Sequence, residues 1–340
     1  MSTIKIAIDV MGGDHGVITT IAGVVHYIIS NKEDHDVFFN LFGNRLDIEN
    51  ALSKNQKISK NLYAIHHTEK VISNDIKLIN AVKSKDGTSM CEAIKSVAKS
   101  ESDAVVSSGN TGVYMAISKM FFDMIHGIDR PALMTLVPSI SGRGNVGLDL
   151  GANMECTSEN FLQFAIMGDA AAKAIFHIES PRVGLLNVGT EKNKGTGTLR
   201  EAYLLIDAVE NLDFVGFVEG TDFLMKTVDV IVTDGFSGNV AIKSMEGIMK
   251  CIASLYETEV RSSLYGKLTY MFSRGILKKI KKIIDPGKYN GASLVGLKGI
   301  AVKSHGSANS IGFSNAISVA VNLVRSNFIK TISKSIENRI

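Results

Sequence analysis

Lysine, asparagine and histidine side chains stand beside glycines in three separate loops of this chain. Lys194 and His305 each precede a glycine, and Asn239 follows one. A lysine in a glycine-rich loop commonly serves as a point charge for phosphate. Glycine also permits close backbone approach, so that free amides at the start of a helix form a positive pocket. The loops therefore predict an anion site, and phosphate chemistry is the first interpretation.

Each of these loops follows a short β-rich run and precedes an amphipathic helical pattern. The same succession occurs six times, which is typical of an α/β fold with a mostly parallel sheet. Loops at the carboxyl ends of parallel strands gather along one edge of a sheet, so we expect them to line a single crevice. The six loops are residues 11–16, 107–112, 151–153, 188–195, 234–239 and 304–309.

Several titratable groups at the ends of the β-rich runs have two open interpretations. The aspartates there either cap turns or act in catalysis. His305 is equally open between a structural role at a helix start and a role in a site. The four aspartates are Asp9, Asp14, Asp149 and Asp234.

Known signatures of nucleotide binding, covalent catalysis and metal binding are missing. The chain contains neither GxxxxGK[ST] nor GxGxxG, which disfavours a simple ATPase or a dinucleotide enzyme. Ser237 is not in a GxSxG motif, and no cysteine lies in a motif that indicates activation. The histidines include the adjacent pair His66 and His67 but no zinc-binding spacing. The sequence therefore predicts no metal site and no covalent acyl-enzyme.

Composition places the chain among folded, enzyme-sized proteins. Its 340 residues equal roughly two average domains, enough for a single catalytic unit spanning 1–340 with a two-lobed body. Hydrophobic residues make up 45% and charged residues 21%, values typical of ordered proteins. Three cysteines far apart indicate a reducing cytosol. Neither a secretion signal nor a transmembrane span is expected.

The positive charge of the chain is concentrated in one segment, residues 261–284. This segment holds seven lysines and arginines and no acid, so the net charge of +3 leaves −4 for the rest. Apolar residues recur there at helical spacing, which predicts a basic amphipathic helix. It either packs on the core with a solvated outer face, or binds a membrane surface or an acidic partner. Few aromatics and no recognised motif make nucleic acid a weak third option.

Seven ordered motifs resemble those of a known family over nearly the whole chain. The family is the bacterial phosphate acyltransferases of the PlsX type, which act in phospholipid synthesis. The chain departs from the family pattern at Val17 and Ser293, where proline is usual, and these departures bear on loop geometry more than on chemistry. The motifs lie at residues 8–14, 108–112, 130–133, 149–153, 186–195, 234–240 and 304–307.

The resemblance implies a reaction, a fold and a set of partners. A fatty acyl group passes from acyl carrier protein to inorganic phosphate, and the acyl phosphate feeds a membrane glycerol-3-phosphate acyltransferase. The implied fold is a Rossmann-like three-layer sandwich related to phosphotransacetylases and isopropylmalate-dehydrogenase-like enzymes. The family is dimeric and needs no cofactor. We therefore expect a cytoplasmic homodimer associated peripherally with the inner face of the membrane.

A mechanism follows from combining the resemblance with the loops. Phosphate dianion attacks the thioester without strong general-base help, so positioning and charge stabilisation dominate. Lys194 holds the phosphate together with backbone amides, while Asn239, with His305 as a second donor, stabilises the oxyanion. Asp234 and Glu191 orient Lys194 or the loops. The other predicted phosphate-site residues are Gly12, Gly13, Asp14, Asn110, Thr111, Gly112 and Asn153.

The basic segment is expected to contact the membrane or the carrier protein. The residues expected to make this contact are Leu264, Leu268, Lys278, Lys279, Lys281 and Lys282.

Two other functions remain open at this point. A phosphate acetyl- or butyryltransferase that uses coenzyme A thioesters needs the same phosphate site. A non-catalytic scaffold for carrier protein or membrane would bind these ligands and leave the thioester uncleaved.

Overall fold

The computed structural model describes most of the chain, and one continuous sheet organises it. The structure describes residues 3–31, 36–55, 58–73, 75–225, 227–284, 290–337 and 339, with the backbone alone at 261, 267, 276 and 278–284. The strands are β1 (Ile4–Asp9), β2 (Val37–Gly43), β3 (Tyr63–His67), β4 (Ala104–Ser107), β5 (Ala132–Val137), β6 (Asn145–Leu148), β7 (Arg182–Leu186), β8 (Asp213–Val218), β9 (Val230–Val232), β10 (Ala292–Val295) and β11 (Ile300–Lys303). Their order in the sheet is β3-β2-β1-β4-β11-β10-β5-β6-β9-β7-β8.

Helices connect most of the strands and cover both faces of the sheet. They are α1 (Gly16–Ser30), α2 (Arg45–Ser53), α3 (Leu78–Lys83), α4 (Ser89–Ala98), α5 (Thr111–Phe121), α6 (Ser158–Phe176), α7 (Gly197–Asp207), α8 (Gly235–Ser262), α9 (Leu264–Ile284), α10 (Ser310–Arg325) and α11 (Phe328–Glu337). The predicted three-layer α/β architecture is confirmed.

Alternation along the strands explains the three layers. In β1, Ile6 and Ile8 belong to the core beneath α1, α6 and α10, whereas Ala7 belongs to the core beneath α4 and α5. In β9, Ile231 likewise packs toward α8. Successive side chains of a strand point to opposite faces, so α8 lies on the same side as α4 and α5. Full burial stabilises the fold by about 1.5–3 kcal/mol for each large aliphatic side chain.

The strands run in two directions, and this corrects one prediction. Strand β11 is antiparallel to β10, β10 to β5, and β5 to β6. Strands β6, β9 and β7 are parallel to one another and therefore run opposite to β1, β4 and β11. The prediction that all six loops share one sheet edge is wrong. Loops that follow strands of the two groups leave opposite edges of the sheet. Helix α8, which begins after β9, reaches the loop that follows β11.

The basic segment forms the second helix of a helical hairpin. Helix α8 ends at Ser262, and α9 begins at Leu264, so the predicted segment 261–284 starts in the last residues of α8. Leu264 and Phe272 are 80% and 81% exposed, and Leu268 is 55% exposed. These exposures contradict packing of this helix on the core of the same chain. The side chains of Lys278, Lys279, Lys281 and Lys282 lie outside the described residues.

Candidate active site

Three loops from neighbouring parallel strands meet at one edge of the sheet. We call residues 10–16, 107–110 and 304–309 the three-loop cluster. The Asp14 amide donates to Gly306 O at 2.9 Å, and Ser108 Oγ donates to Gly12 O at 2.9 Å. The Ser304 amide donates to the carbonyl at the end of β4 at 2.8 Å. These bonds bring together the predicted residues Gly12, Gly13, Asp14, Asn110 and His305.

Two glycines of the cluster allow this close packing. A Cβ on Gly12 would lie 2.6 Å from Asp9 Oδ2 and 2.8 Å from the Gly109 nitrogen. Gly13 has a φ of +84° and packs on Ser108, where a Cβ would lie 2.6 Å from Oγ. Only glycine fits such contacts without moving the backbone, and a positive φ also favours it. Both glycines are therefore needed for loop closure.

The floor of the three-loop cluster is a row of buried polar side chains. Asp9 accepts hydrogen bonds of 2.6 Å from Ser89 Oγ and from Ser107 Oγ. Burial raises the pKa of Asp9, although the two serine hydroxyls lower it. Lys303 is 7% exposed, and its ammonium donates to Ser304 O. Burial also lowers the pKa of Lys303 to about 8.

Three helices begin at the three-loop cluster and make it suited to an anion. They are α1, α5 and α10, each longer than eight residues. The positive ends of helix dipoles and their free N–H groups favour negative charge at such a place. Thr111 and Gly112 are the first two residues of α5, while the Asn110 side chain is used to cap it, accepting from the Val113 amide at 3.1 Å.

A second group of loops lies at the ends of β6 and β9. We call residues 149–153 and 234–239 the two-loop cluster. The buried carboxylate of Asp149 accepts backbone hydrogen bonds from Leu133, Gly151, Ala152 and Asn153 and one from Asn153 Nδ2. The Gly235 amide in turn donates to Asn153 O at 2.7 Å. Asp149 and Asn153 therefore hold the backbone of the two-loop cluster in place.

Asp234 and Asn239 occupy different positions in the two-loop cluster. Asp234 caps α8, accepting from the Ser237 amide at 2.8 Å, which is the capping role left open above. Asn239 is exposed one turn into α8, and its Nδ2 lies 3.6 Å from the position of a Cβ on Gly151. Its amide is therefore available at the surface between the two loops.

Helix α8 connects the two clusters. Lys243 stands one turn after Asn239, and its Nζ lies 3.2 Å from His305 Nε2 and 2.9 Å from Glu246 Oε2. Residues four apart on a helix face the same side. Asn239 and Lys243 therefore line one crevice, with the two-loop cluster at one end and the three-loop cluster at the other.

Both ring nitrogens of His305 have partners. Lys243 Nζ lies 3.2 Å from Nε2. The Ser307 backbone amide donates to Nδ1 at 3.3 Å, and Ser307 Oγ lies 2.9 Å from the same nitrogen. Burial and the neighbouring charge of Lys243 lower the pKa of His305, while Glu246 opposes the shift. The lowered pKa favours the neutral imidazole, and the Lys243 ammonium supplies N–H groups at this point of the crevice.

The loop after β7 carries Lys194 and Glu191, both exposed. The Lys194 amide donates to Glu191 O at 3.0 Å, and Gly195 packs directly on Asn187. Leu186, at the end of β7, packs against the same apolar cluster as residues of α8, and β7 pairs with β9. The loop thus leaves the sheet beside the two-loop cluster. Within the described part of the chain, the Lys194 ammonium forms no ion pair, and its role toward phosphate stays a prediction.

Two lysines at the crevice escaped sequence reasoning, Lys243 and Lys303. Lys243 had a detectable signal, because it lies four residues after Asn239 on a predicted helix. Lys303 ends a β-rich run, but nothing local distinguishes it from a surface lysine.

Two of the cysteines, Cys91 and Cys156, are unsuited to act as nucleophiles because of their pKa values. Burial raises the pKa of Cys91 to about 11 and that of Cys156 to about 12. A thiolate is the reactive form, so both thiols are unreactive near neutral pH. Among the residues with described side chains, no group of three or more histidines, cysteines or carboxylates is placed to hold a metal ion.

Comparison with known sequences gives one consistent family. The model of a family described as "Fatty acid synthesis protein" matches residues 4–331. The phosphate acyltransferase of Rhodospirillum rubrum is 43% identical over 336 residues, 98% of this chain and 95% of that protein. The phosphate acyltransferase of Ehrlichia chaffeensis is 42% identical over 326 residues, 96% of each chain.

Solved structures share the fold. A phosphotransacetylase from Streptococcus pyogenes has a TM-score of 0.57 at 17% identity, covering 98% of this chain and 94% of that one. A branched-chain phosphotransacylase from Enterococcus faecalis has a TM-score of 0.58 at 14% identity, with coverages of 95% and 99%. At such identities the likeness concerns the fold alone, and it confirms the predicted similarity of fold to phosphotransacetylases.

Proposed function

This chain belongs to the family of fatty acid synthesis proteins, and from that membership we propose that it transfers a fatty acyl group from acyl carrier protein to inorganic phosphate. The proposal makes it a phosphate acyltransferase, like its curated relatives. Its product is an acyl phosphate, which serves phospholipid synthesis through a membrane glycerol-3-phosphate acyltransferase.

One observation supports this function best: three helix N-termini and two lysines converge on the three-loop cluster. Free N–H groups and nearby cations are the partners that a phosphate dianion requires. Asn239 lies a helical turn from Lys243, so a thioester carbonyl bound over Asn239 would face phosphate held at the three-loop cluster.

Positioning and charge stabilisation carry the proposed chemistry. The second pKa of phosphate monoesters is about 6, and by analogy inorganic phosphate is largely dianionic near neutral pH. Its oxygen attacks the thioester carbon, and the tetrahedral oxyanion receives hydrogen bonds from Asn239 and from Lys243. One preorganised donor of this kind typically lowers the barrier by 2.7–4 kcal/mol, about 10² to 10³ in rate. No cofactor is required by this chemistry.

The helical hairpin supports two further parts of the proposal. Exposed apolar residues along α8, Ile248, Ile252 and Leu255, fit a second copy of this chain. The exposed apolar face of α9 and the basic residues of its sequence fit an anionic lipid surface or an acidic carrier protein. No described helix is long and apolar enough to span a bilayer. The exposed apolar face of α9 is the feature that supports our proposal of peripheral membrane association from the cytoplasmic side.

Thioester cleavage with and without phosphate tests the proposed function. Long-chain acyl carrier protein is incubated with the protein, and acyl phosphate is trapped as the hydroxamate, with acyl coenzyme A assayed in parallel. Phosphate-dependent turnover of the carrier-protein substrate alone is the expected result. Turnover of the coenzyme A substrate alone would instead indicate a phosphate acetyl- or butyryltransferase. Binding of carrier protein without turnover by the folded protein would indicate a scaffold.

A further inference from the structure

Lys303 is a buried cation at the end of a central strand. It lies opposite Ser107 in the parallel pair β11–β4, and Ser107 Oγ donates to Asp9 Oδ2 at the end of β1. Register partners in a parallel pair point to the same face, so Asp9, Ser107 and Lys303 form a row beneath the three-loop cluster. Lysine is almost never fully buried unless it is paired. A lysine kept in this row therefore requires an explanation.

The groups facing Lys303 come from several elements. Asp9 and Asp14 raise its pKa, but burial is stronger and lowers that pKa to about 8. From α5, the Tyr114 hydroxyl donates to Val105 O and Val302 O, and its pKa lies well above the ordinary value. Tyr114 therefore stays protonated, whereas burial makes the Lys303 ammonium release its proton more readily than an exposed lysine does.

The position of Lys303 also places it next to the crevice. Its charge interacts with Asp14 and with His305, which are both exposed. Its ammonium donates to Ser304 O, the first residue of the loop 304–309, so it lies at the base of the three-loop cluster. Burial explains why this lysine, unlike an arginine, can give up a proton.

We propose that Lys303 transfers the proton from the attacking phosphate to the departing thiol group. The inference rests on the proposed function and adds a catalytic residue to it. The Ser304 carbonyl accepts from the Lys303 ammonium, and the charges of Asp9 and Asp14 attract it, whereas both ring nitrogens of His305 are already engaged.

The proton balance of the step closes without any further reactant. An oxygen of HPO₄²⁻ forms a bond to the thioester carbon, and the C–S bond breaks with its electron pair going to sulfur. The Lys303 ammonium gives a proton to that sulfur, producing the neutral thiol. The resulting amine takes the proton that phosphate brought, leaving the acyl phosphate dianion and restoring the ammonium.

The pH dependence of kcat tests this role in the full-length protein, with acyl carrier protein as donor. The wild-type kcat should rise as phosphate loses its second proton and fall again near pH 8 as Lys303 loses its own. Lys303→Arg retains the charge but cannot release a proton. We expect it to lower kcat by about 10² to 10⁴, the usual range for general acid–base catalysis, and to abolish the fall near pH 8. Lys303→Met should lose activity similarly.

Controls separate the possible results. Lys298→Arg, an exposed lysine on the preceding turn, should behave as wild type. An aryl thioester of the same acyl group releases a stable aryl thiolate, which needs no proton from Lys303. With this substrate the wild-type kcat should no longer fall near pH 8, and this readout needs no folded variant. A wild-type kcat that stays level to pH 9, or full activity of Lys303→Arg, overturns the inference while leaving the proposed function intact. Absence of phosphate-dependent turnover by wild type overturns the proposed function itself.

Discussion

Lys243 Nζ and His305 Nε2 lie 3.2 Å apart, and this contact joins two parts of the sheet whose strands run in opposite directions. Lys243 belongs to the helix that follows β9, whereas His305 belongs to the loop that follows β11. The contact makes one crevice from loops that leave opposite edges of the sheet. Burial lowers the pKa of His305, and this contact lowers it further, because a cation at 3.2 Å disfavours a second positive charge.

Removing this cation should raise the pKa of His305. Lys243→Met takes away one of the charges that lower the pKa, while Glu246 and Asp14 continue to raise it. The histidine titration is followed by NMR of the ring resonances, with Lys250→Met on the exposed part of α8 as the matched control. An unchanged His305 titration in Lys243→Met would contradict the contact.

The same shift has a consequence for stability. The pKa of His305 is lower in the folded protein than in the unfolded chain. Between these two pKa values the unfolded chain binds more protons, so stability declines as the pH falls through this range. Lys243→Met should bring the two pKa values of His305 closer together. The loss of stability on acidification below about pH 6.5 should therefore be smaller in Lys243→Met than in wild type, as measured by urea unfolding at each pH.

Adding one methyl group at Gly12 should disrupt the three-loop cluster. In Gly12→Ala the new carbon meets Asp9 Oδ2 and the backbone nitrogen of Gly109, which cannot move independently. Overpacking of this kind lowers the free energy of unfolding by about 1–3 kcal/mol. Displacement of the loop amides should also weaken phosphate binding. Urea unfolding and the KM for phosphate measure the two effects.

Gly247→Ala is the control for this substitution. Gly247 lies within α8 with open space around the position of a Cβ, so alanine there should stabilise the helix by about 0.5–1 kcal/mol. Wild-type stability and wild-type KM in Gly12→Ala would mean that the loops are not closely packed.

Local sequence patterns predicted the strand ends and the loops, because glycine, strand length and helix caps act over a few residues. The direction of β6 and β9 was not predictable in the same way. Strand β10 is antiparallel to both of its neighbours, so β5 keeps the direction of β11, and the antiparallel pair β5–β6 then reverses the direction for β6 and β9. Strand β10, which separates β11 from β5, lies about 160 residues after β5 in the chain. Parallel α/β patterns alone therefore suggested one edge where the structure has two.

The sequence and the structure also draw attention to different lysines as candidate site residues. Lys194 was prominent because its loop is rich in glycine, and it is exposed on the loop after β7. Lys303 was overlooked because its burial arises from β1 and β4, which are about 200 to 300 residues distant in sequence. Burial of a charge is a tertiary property, so no local pattern reports it.

Truncation of Asn239 or Lys194 should lower turnover without unfolding the protein. Both side chains are exposed, so Asn239→Ala and Lys194→Ala remove no core packing. If Asn239 donates to the oxyanion and Lys194 holds phosphate, kcat/KM should fall by about 10² to 10³ for each. Lys192→Ala in the same loop is the control, because Lys192 stacks over Tyr203 at 5.0 Å and not toward the crevice. Equal activity of Lys194→Ala and Lys192→Ala would remove Lys194 from the mechanism.

Acidic residues on the exposed face of α9 should separate membrane binding from dimerisation. Leu268→Glu with Phe272→Glu places two charges on large exposed apolar positions. Burial of each such side chain is worth about 1.5–3 kcal/mol, so binding to phosphatidylglycerol vesicles should weaken by at least about 10²-fold. Thr269→Glu with Ser273→Glu adds the same charge one residue along the helix, about 100° around its axis. This control pair should bind vesicles more tightly than the first pair.

Vesicle sedimentation measures binding, and sedimentation velocity reports the oligomeric state. Loss of the dimer with unchanged vesicle binding would assign this face to the second copy of the chain, whereas loss of vesicle binding by an intact dimer supports the membrane role.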